Sequence, residues 1–214
     1  MMKVTLLCTN SFHPVYHYLK KWCSEYKDIY DIQLLESAKD IKKCGDILFL
    51  VSCSEIVNKQ TRDLFRYTLV LHASDLPKGR GWSPHIWDIV NGKNELTLSL
   101  LNAGDSVDTG DIWKKKKLQL QGTELYDEIN HLLFSAEIEL ITWACENVDI
   151  CKPKKQDSAE SNYCRKRTPL DSEIDPNKTI SKQFNLLRVS DPERFPAFFT
   201  LNGKKYKIII ERQK

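Results

Sequence analysis

Long apolar runs are absent from this sequence. The amino-terminal stretch MMKVTLLCTN is apolar over only about five residues before polar ones intervene, whereas a signal peptide or membrane span needs roughly 15 or more. No membrane partner is expected, and a cytoplasmic location is. Paired cysteine spacings are missing as well. The seven cysteines (Cys8, Cys23, Cys44, Cys53, Cys145, Cys151, Cys164) are odd in number, include no CxxC pair, and lie partly in apolar contexts such as LLCT and WACEN. They read as reduced, mostly structural thiols. The five histidines (His13, His17, His72, His85, His131) do not pair with them at zinc-site spacing; His13 and His17 alone could share a helix face, and no metal is expected. A strong charge of one sign is also lacking, the formal net charge being +3. Of the basic runs at 114–117, 152–155 and 165–167, the first two read as solvated faces, and a nucleic-acid partner would call for a more basic domain with interleaved aromatics. An anionic small molecule fits the weak charge better. The sequence carries no internal repeat or low-complexity tract.

What is there is the balance of a soluble globular chain: 214 residues, 41% hydrophobic and 29% charged, enough to bury a full core. Residues 3–8 (KVTLLC) form a continuous apolar run of the kind buried on both faces of a parallel sheet, and Pro14 then sits where a helix can begin. Apolar runs at 29–35, 46–52 and 67–72 repeat the theme between amphipathic or polar connections. This alternation predicts an α/β fold built on an open, doubly wound, mostly parallel sheet. The loop ASDLPKGRGWSP follows, with Ser83 as N-cap and Pro84 as first residue of a helix that Gly92 closes. Strands are expected at 95–102 and 111–121, joined by the turn AGDSVDTG. A long amphipathic helix then buries Leu125, Ile129, Leu132, Ala136, Leu140 and Trp143. Residues 151–176 read as a connection over the surface, followed by a short helix at 178–187 and a hairpin turning at Asn202-Gly203. The division expected is a main domain at 1–150, with 151–214 adding the connection, helix and hairpin to that same domain.

The residue pattern that carries chemistry starts at His72, at the carboxyl end of a core strand, where ligands bind in doubly wound sheets. The ordinary alternative is a core histidine bonded to backbone. A loop rich in Gly and Pro and a capped helix follow, then an acid-rich turn. The run HASDLPKGRGWSPHIWDIVNGKNELTLSLLNAGDSVDTGDI resembles the core of the folate-dependent formyltransferases. Their pattern of His-x-Ser-x-Leu-Pro, Gly, a Pro-initiated helix and Asp-x-Gly-x-Ile is met by His72, Ser74, Leu76, Pro77, Gly81, Pro84, Asp108, Gly110 and Ile112. The resemblance implies the Rossmann-like formyltransferase fold, transfer from N10-formyltetrahydrofolate as cosubstrate, and catalysis by His72 and Asp108. Formyl transfer to an amine passes through a tetrahedral intermediate: the carbonyl oxygen gains charge and the attacking nitrogen must lose a proton. An imidazole can handle that proton, and a neighbouring carboxylate can orient the ring.

One position departs from the family. An asparagine normally precedes the histidine by two residues, and here Val70 stands there, so the third catalytic member is open. Ser74 is the first choice, with Ser52, Ser54, Asn102 or a backbone N–H as alternatives. By analogy the reduced folate would contact the loop after the third strand and the acidic turn, through Ser52, Cys53, Ser54, Ile56, Asp105, Val107 and Asp108. For the acceptor, KGRGWSP offers two cations, an aromatic plane and a helix N-terminus, a combination suited to an anionic ligand. Lys78, Arg80, Gly81, Trp82 and Ser83 are the candidates, with Asn10, Ser11, His13 and Arg167 beside them. A methionyl-tRNA acceptor would call for a sizeable basic carboxyl-terminal extension. The resemblance instead favours the N-formyltransferases of nucleotide-linked amino sugars, in particular a UDP-linked 4-amino-4,6-dideoxy-N-acetyl sugar of the pseudaminic acid type. Another small amine, or a non-catalytic binding relic, stands as the alternative, and a homodimer is compatible with either.

Overall fold

The computed structural model describes residues 1–213. In chain order the elements are β1 (Lys3–Leu7), α1 (Val15–Tyr26), β2 (Asp31–Leu35), β3 (Gly45–Leu50), α2 (Lys59–Arg62), β4 (Phe65–His72), β5 (Arg80–Gly81) and α3 (Pro84–Val90), then β6 (Glu95–Asn102), β7 (Ile112–Gln119), α4 (Tyr126–Asn147), β8 (Tyr163–Cys164), α5 (Ile180–Arg188), β9 (Ala197–Leu201) and β10 (Lys204–Ile208). A six-stranded sheet runs in the order β2-β1-β3-β4-β6-β7. Its first four strands are parallel, and β6 and β7 reverse direction in turn. Strand β1 is buried from Val4 to Leu7, as a strand covered on both faces must be.

The two faces are covered unequally. On one, α1 and α4 pack Val15, Leu19, Trp22, Leu133, Phe134, Leu140 and Ile141 against Leu6, Phe49, Leu69, Leu71 and Leu100 in a single large cluster. The other holds smaller clusters, Leu7, Leu48, Val57 and Phe65 under short connections, and Ile89 of α3 against Leu96 and Leu120. The sheet is doubly wound in outline only. Helix α4 also corrects the expected stripe. Leu132 is 37% exposed while Leu133, Phe134 and Ile141 are buried, and Leu125 lies just before the helix. Because α4 touches both α1 and the β6–β7 edge, its apolar face is wider than one stripe and rotated from it.

The segment after α4 is not a plain surface connection. Lys154 forms a two-way backbone bridge with Ile112, and β8 pairs in parallel with β5, so that Arg80 N–H donates to Asn162 O and Trp82 N–H to Cys164 O. The loop after β4 would otherwise leave these backbone groups without partners, and the later segment supplies them. Gly81 is fitted to that contact: at φ +95°, a Cβ there would lie 2.5 Å from the Cys164 carbonyl oxygen. Further on, the fully buried Arg188 of α5 donates to Asn185, Asn94 and the Glu124 carbonyl, tying that helix to two turns of the main sheet. The β9–β10 hairpin turns at Asn202 and Gly203, both left-handed, as a two-residue turn of this hand requires. Among the described residues no helix is long and apolar enough to cross a membrane.

Candidate active site

Strand β4 sends Leu69 and Leu71 into the α1–α4 core, so alternation turns Val70 and His72 to the opposite face. Strand β6 runs antiparallel beside it with Leu69 opposite Asn102. The chain therefore leaves β6 beside the middle of β4, where Ala103 N–H donates to Thr68 O at 2.8 Å. The acidic turn then brings Asp108 to His72. Close packing makes this return possible, since a Cβ on Gly110 would lie 1.9 Å from the Asn102 carbonyl oxygen.

His72 Nδ1 stands 3.5 Å from Asp108 Oδ1, and both residues are 8% exposed. The other ring nitrogen, Nε2, lies 2.7 Å from Gly79 O. A carbonyl only accepts, so Nε2 carries a hydrogen. A neutral ring then turns its Nδ1 lone pair toward the acid, and only the doubly protonated ring donates to both groups. Asp108 Oδ2 accepts from Gly81 N–H at 2.8 Å, and Asp108 itself is left-handed at φ +56°.

Around the pair, β4 ends at His72, so Ser74 is not carried on the strand face. It is buried, its carbonyl accepts from Ser99 Oγ at 2.7 Å, and its own Oγ has no partner. Asn102 spends its Oδ1 on Trp113 Nε1. Ser83 occupies the N-cap position of α3 but is left-handed and makes no side-chain cap; Pro84 and the turn before it fix the helix start instead. In the loop after β3, Ser52 is left-handed, Cys53 Sγ donates to Glu55 O, Ser54 Oγ meets Thr9 Oγ1, and Ile56 is 90% exposed. Val107 is exposed beside them, and Asp105 is held by Arg62.

His13 joins the loops after β1 and β3. Its Nδ1 accepts from Val15 N–H and its Nε2 faces Ser52 Oγ at 3.5 Å. Burial, reinforced by the charge of Arg194, lowers its pKa to about 4, so the ring is neutral at pH 7. Asn10 caps its own loop through Phe12 N–H, and Ser11 lies beside Glu36, held below its ordinary pKa first by Tyr16 and then by Ser11. Of the acceptor candidates, Lys78 pairs with Glu160, Trp82 carries Lys166 Nζ over its ring, and Arg167 turns inward to Asp171 O and Ser172 Oγ.

Three residues near the pair carry no clear signal in the sequence. Gln156 Nε2 donates to the carbonyls of Asp108 and Gly110 while its Oε1 accepts from Arg80. Asn162 Oδ1 accepts from Gly79 N–H. Both sit in a polar segment whose composition is that of any surface connection. His85, one residue into α3, has a buried Nδ1 without a partner, and burial with the charges of His72 and His13 pushes it down to about 4. Among the described residues, Ser74 Oγ, Arg80 Nε and His85 Nδ1 are buried polar side-chain atoms left unpaired around this loop, and Glu137 Oε2 is the other such atom. Unpaired buried groups are costly in a folded protein and common where a ligand completes them. An open recess of about 580 Å³, lined by Met1, Lys3, Tyr30 and Asp31, lies at the far end of β1 and shares no residue with the pair.

No family model matches the sequence. Among curated proteins it is similar to methionyl-tRNA formyltransferases, 26% identical over 181 residues to that of Clostridium acetobutylicum (83% of this chain, 57% of the relative). The identity is 30% over 193 residues to that of Clostridium beijerinckii (87% and 58%). The chain thus spans a little over half the length of the curated relatives it matches. In fold it is similar to a methionyl-tRNA formyltransferase from Clostridium thermocellum, with a TM-score of 0.83 at 22% identity, covering 100% of this chain and 94% of that one. HypX from Aquifex aeolicus in complex with tetrahydrofolic acid gives 0.82 at 18% identity (98% of this chain, 37% of that one), and a 4-N formyltransferase from Francisella tularensis gives 0.78 at 17% identity (100% and 98%). In sequence over most of its length the chain is similar to methionyl-tRNA formyltransferases, and over its whole length it shares the fold of the solved formyltransferases.

Proposed function

We propose that the chain transfers a formyl group from N10-formyltetrahydrofolate to the amine of a nucleotide-linked amino sugar, of the UDP-4-amino-4,6-dideoxy-N-acetyl type that precedes pseudaminic acid-like sugars. The observation that carries the reading is the buried His72–Asp108 pair at 3.5 Å. It lies beside a loop whose buried polar atoms have unspent hydrogen-bonding capacity. A relative solved with tetrahydrofolic acid supports the donor, and a sugar N-formyltransferase from Shewanella matched from end to end supports a sugar acceptor.

In this reading the amine attacks the formyl carbon, the formyl oxygen takes up charge and the nitrogen loses its proton; the tetrahedral carbon then collapses, its bond to N10 breaks, and tetrahydrofolate leaves as N10 takes up a proton. Taking that proton on Nε2 requires His72 to give up the Gly79 carbonyl for the substrate and to shift its one ring hydrogen to Nδ1, where it donates to Asp108; the imidazolium that forms then faces Asp108 from Nδ1. His13, neutral and with Nδ1 engaged by Val15 N–H, keeps an Nε2–H toward the same strand ends and is a donor for the acceptor or the formyl oxygen. Arg80 and Trp82 serve the acceptor's anionic part, and the loop 51–56 with the turn 105–108 serves the pterin.

The curated relatives favour a second reading in which the acceptor is methionyl-tRNA. One assay separates the two. The purified chain, N10-formyltetrahydrofolate and each acceptor in turn are incubated and tetrahydrofolate release is followed; release with the UDP-linked amino sugar is expected. Release only with methionyl-tRNA selects the second reading, and the absence of release with every acceptor leaves a binding module.

A further inference from the structure

The Gln156 carboxamide touches both the main chain of the acid-bearing turn and the Arg80 side chain of the loop after β4. Its Nε2 lies 2.9 Å from Asp108 O and 2.7 Å from Gly110 O, and its Oε1 lies 2.9 Å from Arg80 Nη2. A carboxamide is planar, so its two ends turn together. Asp108 needs such support. Its left-handed backbone is strained and persists only where the surroundings over-determine it. Gly81 N–H holds the carboxylate, and Gln156 holds the main chain behind it. Gln156 is itself fixed from both sides, by the Lys154–Ile112 bridge before it and by Asn162 on Gly79 N–H after it. Arg80 in turn keeps a buried Nε with no partner, so its guanidinium can engage a ligand while Nη2 stays on Gln156.

We infer that Gln156 is a positioning residue that couples the anchoring of an anionic acceptor at Arg80 to the orientation of Asp108 toward His72; this rests on the reading of His72 and Asp108 as the reacting pair. An anion that draws Arg80 pulls on Oε1, and the same rigid plane carries the pull to the Asp108 and Gly110 carbonyls. The coupling runs through hydrogen bonds alone and needs no movement of the sheet.

Two variants separate the ends of the amide. Gln156→Ala loses both contacts. Gln156→Glu keeps an oxygen for Arg80 but has no donor for the two carbonyls. With the UDP-linked 4-amino-4,6-dideoxy-N-acetyl sugar of the pseudaminic acid type as acceptor, kcat falls by about 10- to 100-fold in both variants, the range for outer-shell partners of a reactive group. The acceptor KM rises in the alanine variant only, and binding of 5-formyltetrahydrofolate, a non-reacting donor analogue, is unchanged in both. Without any ligand, the Gly81 amide resonance, which reports the bond to Asp108 Oδ2, shifts and exchanges faster with solvent in both variants. In an Asp108→Asn background, Gln156→Ala adds little to the loss in kcat, because groups acting through one another are not additive.

An unshifted Gly81 resonance, or a loss that adds in full to that of Asp108→Asn, overturns the inference. So does wild-type kcat in Gln156→Ala while His72→Ala is inactive. Wild-type kcat in His72→Ala removes instead the reading beneath it. Should the alanine variant fail to fold, Gln156→Glu, which retains the tie to Arg80, carries the same resonance and additivity tests.

Discussion

The two faces of the central sheet are built from the same strands and solve opposite problems. On the α1–α4 face, Leu69 and Leu71 of β4 join a continuous apolar cluster whose stability comes from area removed from water. On the other face, Val70 and His72 of the same strand meet loops tied by hydrogen bonds to backbone atoms: Gly79 O, Gly81 N, Asp108 O, Gly110 O. Burial does the work on the first face and geometry on the second. Substitutions on the two faces should therefore separate stability from turnover.

The largest expected effect is on turnover. His72→Ala and Asp108→Ala each lower kcat by about 10²- to 10⁴-fold, the span of a lost proton-transfer group, and leave the melting temperature close to that of the parent. Each residue makes few contacts that a neighbour could not spare. Steady-state rates beside thermal melts check this, and near-parental turnover in either variant breaks the functional half of the comparison. Trp22→Ala is the converse. Trp22 is fully buried, stacks on Tyr26 and donates to Thr142 Oγ1 at 2.9 Å, so its loss costs about 3–5 kcal/mol. Denaturant titration should record that cost while kcat per folded molecule holds.

Glu137 is the misfit on the stabilising face. It projects from α4 into the apolar cluster, its Oε2 has no partner, and burial pushes its pKa up from an ordinary 4.5 to about 8. The folded chain thus holds a proton that the unfolded chain releases above pH 4.5, and stability falls as pH rises from there to about 8, then levels off. At about 1.4 kcal/mol per pH unit, the penalty at pH 7 is on the order of 3 kcal/mol. Glu137→Gln removes it. Melts at pH 4.5 and pH 8 should show the variant level with the parent at the first and more stable at the second; the same gap at both would mean that the acid is solvated or paired.

How much of this was legible in the sequence also divides by face. Apolar runs and their period located β1, β3, β4 and α1 because burial on both sides leaves a continuous record in residue type. The helix start at Pro84, its stop at Gly92 and the Asn202-Gly203 hairpin were legible because backbone geometry selects those residues. His72 and Asp108 stood out through a spaced motif, and the structure brings them together. Gln156 and Asn162 did not, because a carboxamide that bonds backbone carbonyls and amides looks the same in sequence as one that bonds water. The α4 stripe was misplaced toward Leu132 because a helix packed on two neighbours buries a wider face than periodicity alone assigns.

The smallest effect tests the boundary between the faces. Val70 stands where the resembling enzymes place an asparagine and is half-buried, two residues before His72 on the same strand. Val70→Ala removes two methyl groups and no hydrogen bond, so it should cost about 1 kcal/mol of stability and leave kcat within a few-fold of the parent. Val70→Asn sharpens the point. If the formyl oxygen already has a donor, from His13 Nε2–H or a backbone N–H, the added amide gains little and its partly buried polar atoms cost stability. If no donor is in place, the asparagine raises kcat by as much as about 10²-fold, the usual size of one oxyanion donor. The expected outcome is a small change, because the loops after β1 and β3 already meet through His13 and Ser52 beside the strand that carries His72. A large gain would mean that this face is geometrically complete and chemically short of one group.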